Sequence, residues 1–308
     1  MSDAELLAAT HEGLFDVESS GPIAFAGETV TALTASNGRL WAIVEGCRVY
    51  ATTDHVSWSM VAERTDLELT CLLATPRGLF LGTEDAHLLR VDLDDAANPT
   101  GASAGELLPG FEAASDRGEW FTPWGGPPSV RSIAWDGGRT IYVNVHVGGI
   151  LQSDDFGESF RQIIDIKTDV HEVIYHRDSG ALLASTGRGF AVATADRWDT
   201  TCDGLHGCYM RAVTIADGSV IASASNGPHG DKGAIYRRPL GSRVAFEKCT
   251  DGLPEWFGGN VDTACVSASG AIVAAGAPRG SLYVSTNAGA EWDCARTDLS
   301  AITAVLVQ

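Results

Sequence analysis

The stretch that decides the fold is Ser153-Asp154-Asp155-Phe156-Gly157-Glu158-Ser159-Phe160, "SDDFGESF". It follows "GGILQ" and precedes "RQII", so two apolar runs meet at an acidic turn that carries a glycine. Ser and Asp side chains bond their own backbone in such turns, and Gly supplies a positive φ. A cousin, "STNAGAEW", spans Ser285 to Trp292, and shortened forms are "TTDHVSW" at Thr52 and "TADRW" at Thr194. One kind of turn recurring at spaced positions points to a repeated unit.

Working outward, each unit reads as an apolar strand, a Gly- or Asp-bearing turn and a second strand rich in Val, Ile, Leu and Ala. A loop, a third strand, the acidic turn and a fourth strand near an aromatic complete it. Six such units begin near Val30, Leu69, Val130, Val170, Met210 and Val261. The last residues, "AITAVLVQ", supply a lone first strand, and "LLAATHEGLFDVESSGPIAF" near the start supplies strands two to four. Joining the ends leaves no open sheet edge. The expectation is an all-β, seven-bladed β-propeller of four-stranded blades in one domain over 1–308. Its closing blade is shared between about 5–27 and 300–308. Insertions at about 94–128 and 249–260 break the period; of the first, "DDAANPTGASAGE" reads as a mobile outer loop and "EWFTPWGGPP" as packed.

Composition agrees. The 308 residues include 35 glycines, scattered between short apolar runs as many turns require. The net charge of −19 disfavours a phosphate backbone, so nucleic acid is excluded as a partner. Seven cysteines without a CxxC or finger spacing read as reduced thiols. The start, "MSDAELLAATHEG", lacks the basic and apolar regions of a signal peptide, and no apolar run has membrane length. These features predict a soluble, cytoplasmic chain without a membrane partner.

"SDDFGESF" resembles the Asp-box, or BNR repeat, Ser-x-Asp-x-Gly-x-Thr-Trp, of sialidases, sortilin-like proteins and many bacterial propellers. Ser153, Asp155, Gly157 and Phe160 match it, as do Ser285, Gly289 and Trp292, with Asn287 in place of the Asp. The resemblance implies a structural turn between the third and fourth strands, on the face opposite a propeller's usual site. The nearest resemblance is to bacterial BNR-repeat proteins described as sialidase-like.

That phase sorts the polar residues. Loops joining strands two to three, or strand four to the next strand one, share the other face, and six of eight histidines fall there. His146 ends a second strand, His171 opens a first strand and His229 lies in a two-to-three loop, all in consecutive blades. Together they predict a site for one divalent metal ion at the channel mouth, or a general acid or base. Arg131 and Arg211 join them as candidate catalytic groups. Trp124, Asn144, Glu172, Arg188, Asn226, Trp256, Asn260, Asp262 and Arg279 are candidate ligand contacts, the arginines suiting carboxylate or phosphate and the tryptophans a sugar ring.

Three functions follow. The first is a small-molecule or carbohydrate-like ligand site with metal- or histidine-dependent lyase or hydrolase chemistry. The second is a protein-binding or assembly module, as in the photosystem assembly factors that also use BNR blades. The third, a sialidase-type glycosidase, could recruit Arg131, Arg211, Arg279 and Tyr209. The Phe/Tyr-Arg-Ile-Pro motif that this family carries near its start is absent.

Overall fold

Short alternating segments closed by tight turns become antiparallel strands. In Val30–Ser36 the first four residues alternate buried and half-buried, the pattern of a strand covered on one face. A computed structural model describes residues 5–93, 103–195 and 197–308. It is all-β, and its strands form seven sheets that make a seven-bladed β-propeller.

The strands run in chain order. After β1 (Leu6–Thr10) and β2 (Gly13–Asp16), the first four-stranded sheet holds β3 (Val30–Ser36), β4 (Arg39–Val44), β5 (Arg48–Thr52) and β6 (Ser59–Glu63). The second holds β7 (Leu69–Thr75), β8 (Gly78–Thr83), β9 (Leu88–Asp92) and β10 (Glu106–Leu107). A short helix, α1 (Pro109–Glu112), leads to the third: β11 (Val130–Trp135), β12 (Ile141–Val145), β13 (Gly149–Ser153) and β14 (Arg161–Gln162). The fourth holds β15 (Val170–His176), β16 (Ala181–Thr186), β17 (Gly189–Ala193) and β18 (Trp198–Thr201). The fifth holds β19 (Val213–Ala216), β20 (Ser219–Ala224), β21 (Ala234–Pro239) and β22 (Glu247–Lys248). The sixth holds β23 (Val266–Ser269), β24 (Ile272–Gly276), β25 (Leu282–Ser285) and β26 (Asp293–Arg296), and β27 (Ile302–Val307) ends the chain.

The strands group into two compact units, one spanning Glu28–Ala181 and the other joining the chain up to Gly27 with Leu182 onward. In the first, Leu69, Leu79, Leu89 and Val49 share one core, and Phe80, Phe111, Val130 and Phe156 share another. In the second, Ile221, Val273, Leu282 and Trp292 anchor the core. Each such side chain, taken fully out of water, contributes about 2 kcal/mol.

The ends meet as the sequence predicts: β1 lies between β2 and β27, with Leu6 opposite Val307 and Leu7 opposite Leu306. This sheet has three strands, not four. Its expected fourth strand is reduced to a bridge from Leu14 to Ala24. Pro22, which has no N–H to give a ladder, precedes that bridge. The fifth and sixth sheets also start later than expected, at Val213 and Val266 rather than Met210 and Val261. Ahead of β23, Asp262 spends its carboxylate on the Thr263 N–H and Arg211, and Cys265 N–H bonds Asp262 O, so that segment turns before it extends. Residues 94–102 of the expected outer loop lie outside the described residues.

The acidic turn sits between β13 and β14. Ser153 Oγ donates to Asp155 Oδ1 at 2.7 Å and accepts the Gly157 N–H at 2.7 Å. Asp155 Oδ1 also accepts the Ser159 N–H at 2.9 Å. These bonds from Ser159 and Ser153 hold the Asp155 carboxyl down at about 2. Phe156 and Gly157 take φ of 65° and 99°, which fixes the reversal. Phe156, 2% exposed, packs edge-on against Phe80 of β8. Phe160 packs on Phe111.

Between β25 and β26 the same geometry recurs. Ser285 Oγ donates to Asn287 Oδ1 and accepts the Gly289 N–H, both at 3.0 Å, while Trp292 is buried. In the shortened turn after β5, Thr52 Oγ1 takes the His55 N–H one residue earlier.

Candidate metal centre

The site grows out of strand alternation. Tyr142, Asn144 and His146 share one parity along β12 and its extension; Asp169, His171, Val173 and Tyr175 share one parity along β15. The two rows face each other. Tyr142 and Tyr175 stack with centroids 5.7 Å apart. Next along the seam, Ser132 Oγ on β11 accepts the Val173 N–H at 2.9 Å, and Asn144 Nδ2 approaches the same oxygen at 3.4 Å. At the end, the His146 and His171 rings lie 5.4 Å apart.

Asp169 completes this end. Its Oδ1 lies 3.0 Å from His146 Nε2 and 3.3 Å from His171 Nε2, and the three ligating atoms all fall within 4.8 Å of one another. His171 is fully buried and His146 is 9% exposed; Asp169 is the most open of the three. Among the described residues, neither His146 Nε2 nor Asp169 Oδ1 finds an aligned hydrogen-bond partner. Two donors about 2.1 Å from one ion lie roughly 3–4 Å apart, so the spacing fits a shared cation.

The protonation states fit as well. Burial, the largest influence, holds the His146 imidazole below its usual range, and Arg131 and His171 reinforce it against the pull of Asp169. For Asp169, burial pushes upward, yet contacts with His146 and His171 hold the carboxyl far below the usual carboxylate range. The two directions, His146 downward and Asp169 downward, favour the neutral imidazole and the ionised carboxylate that a metal would require.

Around this centre, Trp124 lies with its ring 5.0 Å from that of His146 and is 61% exposed. The expected packed segment "EWFTPWGGPP" is thus divided. Trp120 is buried, whereas Phe121 and Trp124 are exposed. Arg131 on β11 is close enough for its charge to act on both His146 and Glu84. Asn144 and Glu172 are buried; Asn144 serves the seam through Ser132, and Glu172 has the opposite parity to His171.

His229 is the main departure among the expected ligands. It is an exposed residue of the other unit and no member of the group; Asp169 takes the third place. That unit also holds Arg188, Arg211, Asn226, Trp256, Asn260, Asp262 and Arg279. Arg211 pairs with Asp262 at 2.6 Å beside Tyr209, and burial works against its charge while Asp262 sustains it. Asn260 donates to Pro228 O at 2.9 Å, Asn226 accepts the Lys232 N–H at 3.4 Å, and exposed Arg279 lies beside Gly258. The Arg188 N–H is bound by Thr186 Oγ1. At Trp256, half-buried, Lys248 Nζ sits 3.5 Å from the ring centroid and the His206 ring lies 4.6 Å from it.

Two groupings had no place in the sequence reading. His87, Glu112 and Arg117 interlock at about 3 Å over the insertion. Cys202 and Cys208, expected as separate reduced thiols, form a disulfide; only six residues apart, they are joined because the intervening loop turns back on itself.

No family model matches the chain, and no match is found among curated proteins. Solved structures do resemble it. YCF48 bound to D1 peptide is 13% identical with a TM-score of 0.58, over 96% of this chain and 86% of that one. A GH74 xyloglucanase from Xanthomonas campestris is 15% identical with a TM-score of 0.61, over 94% of this chain but 46% of its own length. A computationally designed protein, Ika8, is 12% identical with a TM-score of 0.58, over 92% and 81%. At such identities the likeness establishes the β-propeller fold alone. No described helix is long and apolar enough to cross a membrane.

Proposed function

We propose that the chain is a metal-dependent hydrolase or lyase acting on a small polar substrate, with one divalent ion held by His146, Asp169 and His171. One observation carries this reading: three donor atoms from two adjoining strands converge within 4.8 Å, and His146 Nε2 and Asp169 Oδ1 lack aligned hydrogen bonds. Two imidazoles and one carboxylate favour a first-row transition ion over magnesium or calcium. Such an ion would polarise a substrate oxygen or acidify a bound water. Asp169 contributes its negative charge, and His146 its neutral ring, without proton loss near neutrality. Arg131 favours an anionic substrate group, and Trp124 walls one side.

The test is metal content of the purified chain by mass spectrometry, with zinc and cobalt titrations of the metal-stripped protein. One bound ion per chain, lost in Asp169→Asn and in His146→Ala, supports the reading. Failure of every first-row divalent ion to bind above millimolar affinity ends it.

A second reading is a docking face for a protein. Exposed Phe121 and Trp124 favour it, and YCF48 with its D1 peptide is a propeller of that type. In that case a pulldown with the full chain is disrupted by Phe121→Ser and is indifferent to metal. The glycosidase reading has the least support, resting on fold likeness to the xyloglucanase.

A further inference from the structure

The connector from β18 to β19 is a closed ring of chain: Cys202-Asp203-Gly204-Leu205-His206-Gly207-Cys208, joined by its terminal sulfurs with Cα atoms 5.4 Å apart. It is pressed against its neighbours at two points. A Cβ on Gly204 would lie 2.1 Å from Phe246 O, and one on Gly207 2.2 Å from Ser225 O. Between these points the loop holds His206, an exposed residue, against the neighbouring strand β21 and Trp256. His206 Nε2 donates to Lys232 O at 2.7 Å, which leaves Nδ1 to accept the Tyr236 hydroxyl at 2.6 Å. Its ring stacks on Tyr236 and lies against Trp256, whose ring also faces the ammonium groups of Lys248 and Lys232.

The two sulfurs differ in access. Cys208 belongs to an exposed residue, while Cys202 is half-buried with Sγ 3.2 Å from Arg188 O. Cys71, Cys249 and Cys265 are buried in the cores and out of reach of exchange in the folded chain.

We infer that Cys202–Cys208 is a thiol–disulfide exchange site, and that its state decides whether His206 remains docked on Trp256. The reductant is a dithiol. Its thiolate attacks the accessible Cys208 Sγ, forming a mixed disulfide and expelling Cys202 as a thiolate, which takes up a proton. The second thiol of the reductant then attacks its own sulfur in the mixed disulfide and releases Cys208. Two electrons pass to the protein pair, and the dithiol leaves oxidised. Reduction removes the disulfide cross-link of the connector, which leaves the loop to be held by contacts such as those at Phe246, Ser225, Tyr236 and Lys232. This site lies in the unit that lacks the proposed metal centre and does not depend on it.

The experiment uses the full chain, oxidised with glutathione disulfide and then exposed to dithiothreitol without denaturant, with alkylation and mass spectrometry as the readout. Cys202 and Cys208 should become labelled while Cys71, Cys249 and Cys265 stay protected. Amides 203–207 should then exchange at least about tenfold faster. Tryptophan emission should change in the wild type but not in Trp256→Phe. The Cys202→Ser/Cys208→Ser variant should show the reduced behaviour under all conditions. Three results overturn the inference: the pair does not form in the folded chain; it is reduced only together with exposure of Cys71; or reduction leaves both exchange and emission unchanged.

Discussion

Two histidine groups in this chain solve the same problem in opposite ways. His206 gives each ring nitrogen its own partner, the Tyr236 hydroxyl and the Lys232 carbonyl, and its exposed ring touches Tyr236 and Trp256. His146 and His171 instead turn their Nε2 atoms toward one carboxylate oxygen, and that oxygen is aligned with neither as a hydrogen bond. Burial lowers both His206 and His146, so proton affinity alone does not separate them. Direction does: the two ring nitrogens of His206 face separate partners, whereas three side-chain donor atoms converge around Asp169, the arrangement that a cation would need.

The sharpest break in this comparison is ligand removal. Asp169→Asn should weaken zinc or cobalt binding about 100-fold or more, and His206→Gln should leave it unchanged, as titration calorimetry would measure. A smaller effect is expected from pH. His146 sits below its ordinary value, so it stays neutral until the pH falls beneath the usual histidine range near 6.5. Affinity should hold through neutrality and then drop, by about tenfold per pH unit once a ligand proton must be displaced. The sign is the same without metal. The unfolded chain takes up the His146 proton first, so this contribution to stability is complete above the ordinary histidine value and is lost as pH falls toward the folded value.

On the other side of the comparison, His206→Leu should cost about 1 kcal/mol in urea unfolding, since it leaves the Tyr236 hydroxyl and Lys232 carbonyl without their partner. The least change belongs to Lys248→Met. Removing that ammonium from Trp256 should cost about 0.5–1 kcal/mol and should leave metal binding untouched.

The fold could be read from the chain because its signals are periodic and repeated. Four turn sequences, and complementary half-units at the two ends, each constrain the same architecture. The failures are local. Pro22 removes one strand, and the bonding of Asp262 delays another, through side-chain chemistry that a period does not register. His146 and His171 could be found because each sits at a strand end in consecutive units. Asp169 carries no signal of its own in the sequence, since "KTDV" resembles any solvated connection, although the Asp-x-His spacing of "DVH" puts both side chains on one face of the strand. The loop type of His229 carries no information on which compact unit the side chain serves. The disulfide eluded a reading by spacing because Gly204 and Gly207, rather than any cysteine motif, let the connector fold back.

The pairing of β1 with β27 has a mechanical consequence. Leu6 lies opposite Val307, and Glu5 and Gln308 exchange backbone hydrogen bonds, so residues 5 and 308 lie together at one edge of an antiparallel seam. A pulling force applied between them would meet these bonds one at a time, as a zipper is opened, rather than together as in shear. The seam would therefore yield at low force, and the opening would start at the Glu5–Gln308 pair.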